Sequence, residues 1–341
     1  MYTQRLTMPN FIQRVLNPNW YHGAGMRPPF FEGWYYKMVS ADRGERYAII
    51  PGIFLSNDPT RQHAFVQVFD GVSGRATYHR YSADQFRAAP DALDVWIGDN
   101  HFTLDSLTLN IQDELRSVRA NLTFVGQVPY PVSAFSPGIM GPFAWLPFME
   151  CYHGIVSLDH GVGGLFEDDG KSVNFNGGRG YIEKDWGKSF PAGWVWMQSN
   201  HFSTLGSCLT ASIAVTPMLG GWFPGFIVGV WHEGTLHRLT TYTGAQVEKL
   251  EITDDHVLWV TRDRSKRLEI FATRADTSIL PGPDRIDMEK RVPETLKANI
   301  QVCLTRLSGG KPILDSTGEC AGLEVAGGVD RLLKAVNAPQ G

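Results

Sequence analysis

The stretch FFEGWYYKM, residues Phe30 to Met38, returns as FPAGWVWMQ at Phe190 to Gln198, its Gly-Trp step displaced by 160 residues. Two further stretches repeat in the same order. AFVQVFDGVSGRATYHRY (Ala64 to Tyr81) is echoed by GFIVGVWHEGTLHRLTTY (Gly225 to Tyr242), with an offset of 158 at the His-Arg steps. ECYHGIVSL from Glu150 is echoed by ECAGLEVAG from Glu319, with an offset of 169. Three matches in one order along a chain indicate two copies of a supersecondary unit. The boundary between the copies lies between Tyr181 and Pro191, giving an expected first domain of residues 1–184 and a second of 185–341.

Within each copy, short runs rich in β-branched and aromatic residues alternate with turn residues, which reads as strands and not helices. YAIIPGIFL, HAFVQVFDG, ATYHRYS, FTLDSLTLNI and VRANLTFVG belong to the first copy. CLTASIAVT, GFIVGVWH, LHRLTTYT, HVLWVTR, LEIFATRA and ANIQVCLTRL belong to the second. The turns DGVSG, HEGT and LSGGKP place glycine where a hairpin needs a left-handed residue. GGVDRLLKAVNA near the C-terminus and QFRAAPDAL read as helical. The expected fold is therefore all-β, two tandem antiparallel barrels or sandwiches with a short C-terminal helix; both architectures dispose of their edge strands. The segment from Val128 to Glu150, VPYPVSAFSPGIMGPFAWLPFME, is too rich in Pro and Gly for a central strand and reads as an apolar loop, either a packed linker or a lid.

Composition removes several functional classes. A net charge of -4 with both signs interspersed, and no cluster of Lys or Arg, leaves no nucleic-acid footprint. The four cysteines form no C-x-x-C, so neither a zinc ribbon nor a disulfide framework is expected. The N-terminal MYTQRLTMPNFIQRVLNPNW has no apolar core like that of a signal peptide, and no later run could span a bilayer, so the expected location is cytoplasmic. Phe11, Ile12, Val15 and Leu16 could form one amphipathic turn, which limits membrane contact to the periphery. G-x-G-x-x-G, P-loop, H-E-x-x-H and G-x-S-x-G patterns are absent from the sequence. Glu150 and His153 give a single E-x-x-H, but in a stretch that reads as strand, so no metal is expected.

Three segments could carry chemistry. In FFEGWYYK the strand period of two puts Glu32, Trp34 and Tyr36 on one face. In GYIEKDWGKSF it puts Tyr181, Glu183 and Asp185 on one face and Ile182, Lys184 and Trp186 on the other. In GWVWMQSNHF, Trp194, Trp196, Gln198 and Asn200 share a face, an aromatic floor running into two amides. Carboxylates beside aromatic rings suit proton-initiated alkene chemistry: an apolar wall raises the acid's pKa, and ring faces stabilise a carbocation. Taken singly, such residues also fit a barrel plug or a solvated rim.

PFFEGWYYK (Pro29 to Lys37), YIEKDWGKSFPAGWVWMQSNHF (Tyr181 to Phe202) and AGLEVAGG (Ala321 to Gly328) resemble the tocopherol cyclase family. That resemblance implies two lipocalin-like β domains, a hydrophobic small-molecule substrate such as a prenylated quinol or polyene, and no metal or organic cofactor. The implied activity is acid-initiated closure of a chromanol ring. Related lipocalin-like proteins hydrate carotenoid double bonds or guide pericyclic closures, and a non-catalytic carrier is the rival of a different class. On this reading Asp185 or Glu32 is the acid, with Glu183 next. Trp34, Trp186, Trp194 and Trp196 form the cation and tail surface, and Gln198, Asn200 and Tyr36 hold the head group. His153, Asp159 and His160 make a second acid-base set. The site is expected at the junction of the halves, with Glu32 and Trp34 reaching it from the first.

Overall fold

Alternating strands need hydrogen-bonded neighbours on both sides, and in the computed structural model, which describes residues 9–218 and 220–337, they find them in two antiparallel sheets. The first is entered by a meander of β1 (Phe30–Val39), β2 (Arg46–Leu55), β3 (His63–Asp70) and β4 (Ala76–Ser82). It continues through β5 (Phe86–Ala88), β6 (Asp94–Ile97), β7 (Asn100–Thr103), β8 (Ser106–Gln112) and β9 (Ser117–Val125). It ends in β10 (Cys151–Asp168), β11 (Lys171–Asn174) and β12 (Gly178–Gly187). The spatial order is β4-β3-β2-β1-β12-β10-β9-β8-β7-β6-β5, with β11 beside β10.

The second sheet opens with the same kind of meander: β13 (Gly193–Ser199), β14 (Cys208–Met218), β15 (Gly221–His232) and β16 (Thr235–Arg238). Then come β17 (Gln246–Ile252), β18 (His256–Arg262), β19 (Lys266–Thr273), β20 (Ser278–Gly282), β21 (Lys290–Arg306) and β22 (Leu314–Gly327). Its order, β16-β15-β14-β13-β22-β21-β19-β18-β17, repeats the first: a four-strand meander whose first strand pairs with the last strand of its own sheet. The chain crosses between sheets through residues 188–192. Asp185, Trp186 and Gly187 pair with β10 inside the first sheet.

Two of the three sequence echoes lie on topologically equivalent strands, β1 with β13 and β3–β4 with β15–β16. The third does not. ECYHGIVSL runs into β10, whereas ECAGLEVAG lies in β22, whose counterpart is β12. QFRAAPDAL also departs from its helical reading: Phe86 and Ala88 pair with Ile97 and Val95, and sheet pairing with Pro90 nearby outweighs the alanines. The strand read in LHRLTTYT stops at Arg238 and is followed by a single 3-10 turn, Thr241–Thr243.

Each sheet curls around its own core. Trp34, Tyr36 and Met38 point into the first, and Val195, Met197 and Trp259 into the second, which α2 (Val329–Val336) closes with fully buried Leu332. A short α1 (Phe11–Val15), capped reciprocally by Asn10 and Gln13, buries Val15 and leaves Phe11 and Ile12 exposed. The opposite faces of the central strands meet each other and form a third apolar layer, with Tyr35, Tyr181, Trp194, Trp196, Leu280 and Leu296. Each large apolar side chain buried there contributes about 1.5–3 kcal/mol. Among the described residues no helix is long and apolar enough to cross a membrane.

Candidate active site in the cleft between the sheets

Strand pairing sets two rows of side chains facing each other across the third layer. On the first sheet Gly33, Asp185 and His153 are register partners, as are Tyr35, Glu183 and Ile155. On the second, Trp196, Glu324 and Glu294 are partners. The small residues flanking Glu324 make room for the indoles: a Cβ at Gly322 would lie 2.6 Å from the Trp196 ring. Between the rows lies a cavity of about 140 Å³, bounded by Met140, Phe143, Trp194, Trp196, Phe226 and Ile227, with His153, Glu183, Asp185 and Glu324 in its wall.

The polar groups are tied to one another. His153 Nδ1 lies 2.8 Å from Asp185 Oδ1, and its Nε2 is 3.4 Å from Glu183 Oε2. Glu183 Oε2 accepts from Tyr181 Oη at 2.5 Å and from Trp196 Nε1 at 3.2 Å. Trp194 Nε1 donates to Glu324 Oε2 at 2.5 Å, and Tyr35 Oη donates to Glu294.

Burial acts oppositely on the two ionisation types here. It would depress His153, but the carboxylates of Asp185 and Glu183 more than offset it and raise the imidazole to about 9. Burial drives Glu183 upward; the His153 charge opposes it, Asp185 adds to it, and the result is about 7. Glu294 rises to about 8, again chiefly from burial, with the Tyr35 hydrogen bond opposing and Glu183 reinforcing. Burial and then Glu294 push Glu324 well above the ordinary carboxylate range. Burial thus favours the neutral form of Glu294 and Glu324, while the carboxylates beside His153 favour its imidazolium. His153, Glu183 and Asp185 bring one ligand atom each to within 4.8 Å of one another, a spacing that could also hold a metal ion with His153 neutral.

Of the residues singled out from the sequence, Asp185, Glu183, His153, Trp194 and Trp196 come together at this cavity. The others are elsewhere. Glu32 and Trp34 do not reach the cleft: Glu32 is fully buried within the first sheet, paired with Lys184, while Lys184 Nζ sits 5.1 Å over Trp34 and 4.8 Å over Trp186. Trp186 stacks on His22, and Tyr36 donates its hydroxyl to the Thr103 carbonyl at 3.0 Å in the first core.

Gln198 Oε1 accepts from buried Lys37 Nζ at 2.8 Å, and Asn200 Nδ2 donates to Asp159 Oδ1 at 2.9 Å and to the Gly180 carbonyl, so both amides are spent between the sheets. Asp159 pairs with Arg179 at 2.6 Å. His160 shares a hydrogen bond with Ser157 and packs on Phe124; burial, then Arg179, lowers it to about 3.

Sequence reading missed Glu294, Glu324 and Tyr35. Glu324 did carry a signal: in AGLEVAGG it is the lone acid on a face otherwise built from glycine and alanine. The Val128 to Glu150 segment covers the cleft, with Met140, Phe143 and Met149 in the cavity wall. It is anchored to both sheets. Val128 exchanges backbone hydrogen bonds with Leu158 and Asp159, and the Ile139 carbonyl accepts from Tyr242 Oη at 2.9 Å.

With this geometry in place, comparisons with known proteins converge. The family described as "Tocopherol cyclase-like" matches residues 130–328. The maize (Zea mays) protein named "Tocopherol cyclase, chloroplastic" is 28% identical over 200 residues, which cover 55% of this chain and 42% of that protein. The chain thus spans less than half the length of this relative. Among solved structures, CghA aligns with a TM-score of 0.55 at 12% identity over 89% of each chain. Kievitone hydratase from Nectria haematococca aligns with a TM-score of 0.51 at 12% identity, over 95% of this chain and 94% of that one. At such identities the likeness is one of lipocalin-like fold.

Proposed function

Because the chain belongs to the tocopherol cyclase-like family, we propose that it closes a ring on a prenylated hydroquinone or related polyene lipid by protonating an internal double bond in the cleft. The observation that carries this reading is the carboxyl group of Glu324 set in the cavity wall against Trp194 and Trp196 and bonded to the Trp194 N–H, where desolvation favours its neutral form. A neutral carboxylic acid in an apolar wall is a proton donor. An ion-paired one is not, which moves the role of donor from Asp185, engaged with His153, to Glu324.

In the proposed reaction the Glu324 O–H bond breaks and the alkene π pair takes the proton at its less substituted carbon. The tertiary cation left behind faces Trp194 and Trp196, whose ring quadrupoles stabilise it. A lone pair of the phenol oxygen then forms the C–O bond. Glu183, its carboxylate favoured by the nearby imidazolium, takes the phenol proton, and proton transfer back to Glu324 restores the site. The net change is an isomerisation, with no oxidant or reductant. Positioned acid catalysis of this kind supplies roughly 10²–10⁴-fold, and the loop carrying Met140 and Phe143 limits the water that would compete for the cation.

The test is incubation of the purified protein with prenylated hydroquinones and linear polyenes in deuterated buffer, with and without a chelator. One deuterium on carbon in a cyclised product is expected, in both cases. Deuterium in an alcohol would instead make the protein a hydratase. Tight binding without deuterium in any product would make it a carrier.

A further inference from the structure

In a chain of net charge -4, residues 127–149 contain no Asp, Glu, Lys or Arg, and residues 9–31 contain two arginines and no acid before Glu32. The two stretches pack on each other. The Phe11 and Trp145 rings are 6.1 Å apart, and a Cβ at Gly138 would lie 3.5 Å from Pro18. Their outer side is hydrocarbon: Phe135 is 91% exposed, and Phe11, Ile12, Val132 and Phe148 are exposed as well. The inner side supplies Met140, Phe143 and Met149 to the cavity wall. The apolar patch is therefore the outer surface of the cover over the cleft, and an exposed patch of this kind marks an interaction site.

Polar side chains within the patch are engaged inside it. Trp145 Nε1 donates to the Ala134 carbonyl at 2.9 Å. The Ser133 hydroxyl accepts from the Ser136 N–H at 3.1 Å, and the Ser136 hydroxyl accepts from Arg238 Nη1 at 2.8 Å. A folded protein partner is oriented by hydrogen bonds across the interface as well as by apolar area. A fluid hydrocarbon layer needs no such direction. The charge at the edge has one sign: Arg14 donates to the carbonyls of Pro9, His22 and Ala24, Arg238 donates to Ser136, and among the described residues neither meets a carboxylate. Uncompensated cations beside exposed aromatic rings match a surface that is anionic at its boundary and hydrocarbon beneath.

We propose that this face docks on an anionic lipid bilayer, with Phe135 and Phe148 among the acyl chains and Arg14 and Arg238 at the headgroups, setting the cover of the cleft against the membrane. The docking stands apart from the chemistry in the cleft and holds equally for a cyclase, a hydratase or a carrier.

The experiment sediments the full chain with vesicles of phosphatidylcholine and phosphatidylglycerol in equal parts, or of phosphatidylcholine alone. Binding to the mixed vesicles is expected, weakened at least tenfold in Phe135→Ser/Phe148→Ser. Arg238→Gln should lose about fivefold on the mixed vesicles and nothing on phosphatidylcholine alone. Leu205→Ser, which removes an 80% exposed apolar side chain from the loop between β13 and β14, should bind as wild type. Brominated acyl chains should quench the fluorescence that Trp145→Phe removes, which reads the docking with both phenylalanines in place. Absence of vesicle binding, or an equal loss in Leu205→Ser, overturns the proposal. So does self-association that Phe135→Ser/Phe148→Ser abolishes while vesicle binding is unchanged, which would make the patch an interface between copies of the chain.

Discussion

Glu32 on β1, turned toward the core of the first sheet, and Glu294 and Glu324 on β21 and β22, turned toward the cleft from the second, are shifted in opposite directions. Toward the first core, Glu32 has no solvent exposure but is met by Lys184 and by the backbone N–H groups of His22 and Gly23, at 2.9 Å and 3.0 Å from Oε2. Burial would raise it; Lys184 and His22 overcome that and hold it below its ordinary value. Toward the cleft, Glu294 is buried and Glu324 half-buried in the cavity wall, neither has a comparable cation, and both are raised. Burial sets the stakes and the counter-charge decides which form survives. Glu32 is held ionised inside the fold, whereas the proposed role of the cleft acids is to donate a proton.

The largest effect expected from breaking this contrast is on stability. Lys184→Met leaves Glu32 charged and buried without its cation, which should cost about 3–5 kcal/mol in urea unfolding. Much of that loss should return in the Glu32→Gln/Lys184→Met double variant, in which no buried charge is stranded. Turnover per folded molecule should stay near wild type in both. A loss of turnover at unchanged stability would place the pair in the chemistry and erase the distinction.

Next in size is the cleft itself. Glu324→Gln keeps shape and a hydrogen-bonding partner for Trp194 while removing the transferable proton, so turnover should fall about 100-fold or more with ligand affinity within a few-fold. A variant with unchanged turnover would return the donor role to Glu183 or Asp185.

The pH dependence sharpens the same comparison because the two sets respond in opposite directions. Glu32 is lowered in the folded protein, so its contribution is present above the ordinary value of 4.5 and is lost as pH falls through the folded pKa. Glu294 is raised to about 8, so its contribution is present below 4.5 and is lost as pH rises toward 8. Unfolding midpoints measured across pH should show both slopes. Glu294→Gln should flatten the slope between 4.5 and 8, and Glu32→Gln the acid one. For turnover, Glu183 must be ionised and Glu324 protonated, so the profile should rise through about 7 and fall at higher pH, as a property of the coupled group.

Much of this arrangement was legible in the sequence because a strand's period of two is a local property. Alternation alone separates Glu183 and Asp185 from Lys184 and Trp186, and the structure places them on opposite faces. What alternation cannot give is which face turns toward which layer. Gly33-Trp34 and Gly193-Trp194 match in sequence, yet Trp34 points into its own core while Trp194 points into the cleft. The structural counterpart of Tyr35 is Trp196, each the register partner of a glutamate on the closing strand of its sheet. Glu294 was invisible for a different reason. VPETLK has no pattern that marks an active site, and the burial of its acid depends on the packing of one sheet on the other, including β21 where its register with β22 slips past Thr295.

The smallest expected effect isolates the indole from the acid it touches. Lys290 Nζ lies 5.6 Å over one face of Trp194, leaving the other to the cleft. Trp194→Phe keeps a ring there but weakens the cation-stabilising face by about 0.5–1 kcal/mol, so turnover should drop only a few-fold. The substitution also removes the N–H that Glu324 accepts, a bond that favours the ionised acid. Its loss should move the high-pH limb of the turnover profile further up while leaving the limb set by Glu183 in place. A shift of both limbs, or of the lower one alone, would mean that Trp194 acts through Glu183 and that the two acids do not divide the proton transfer.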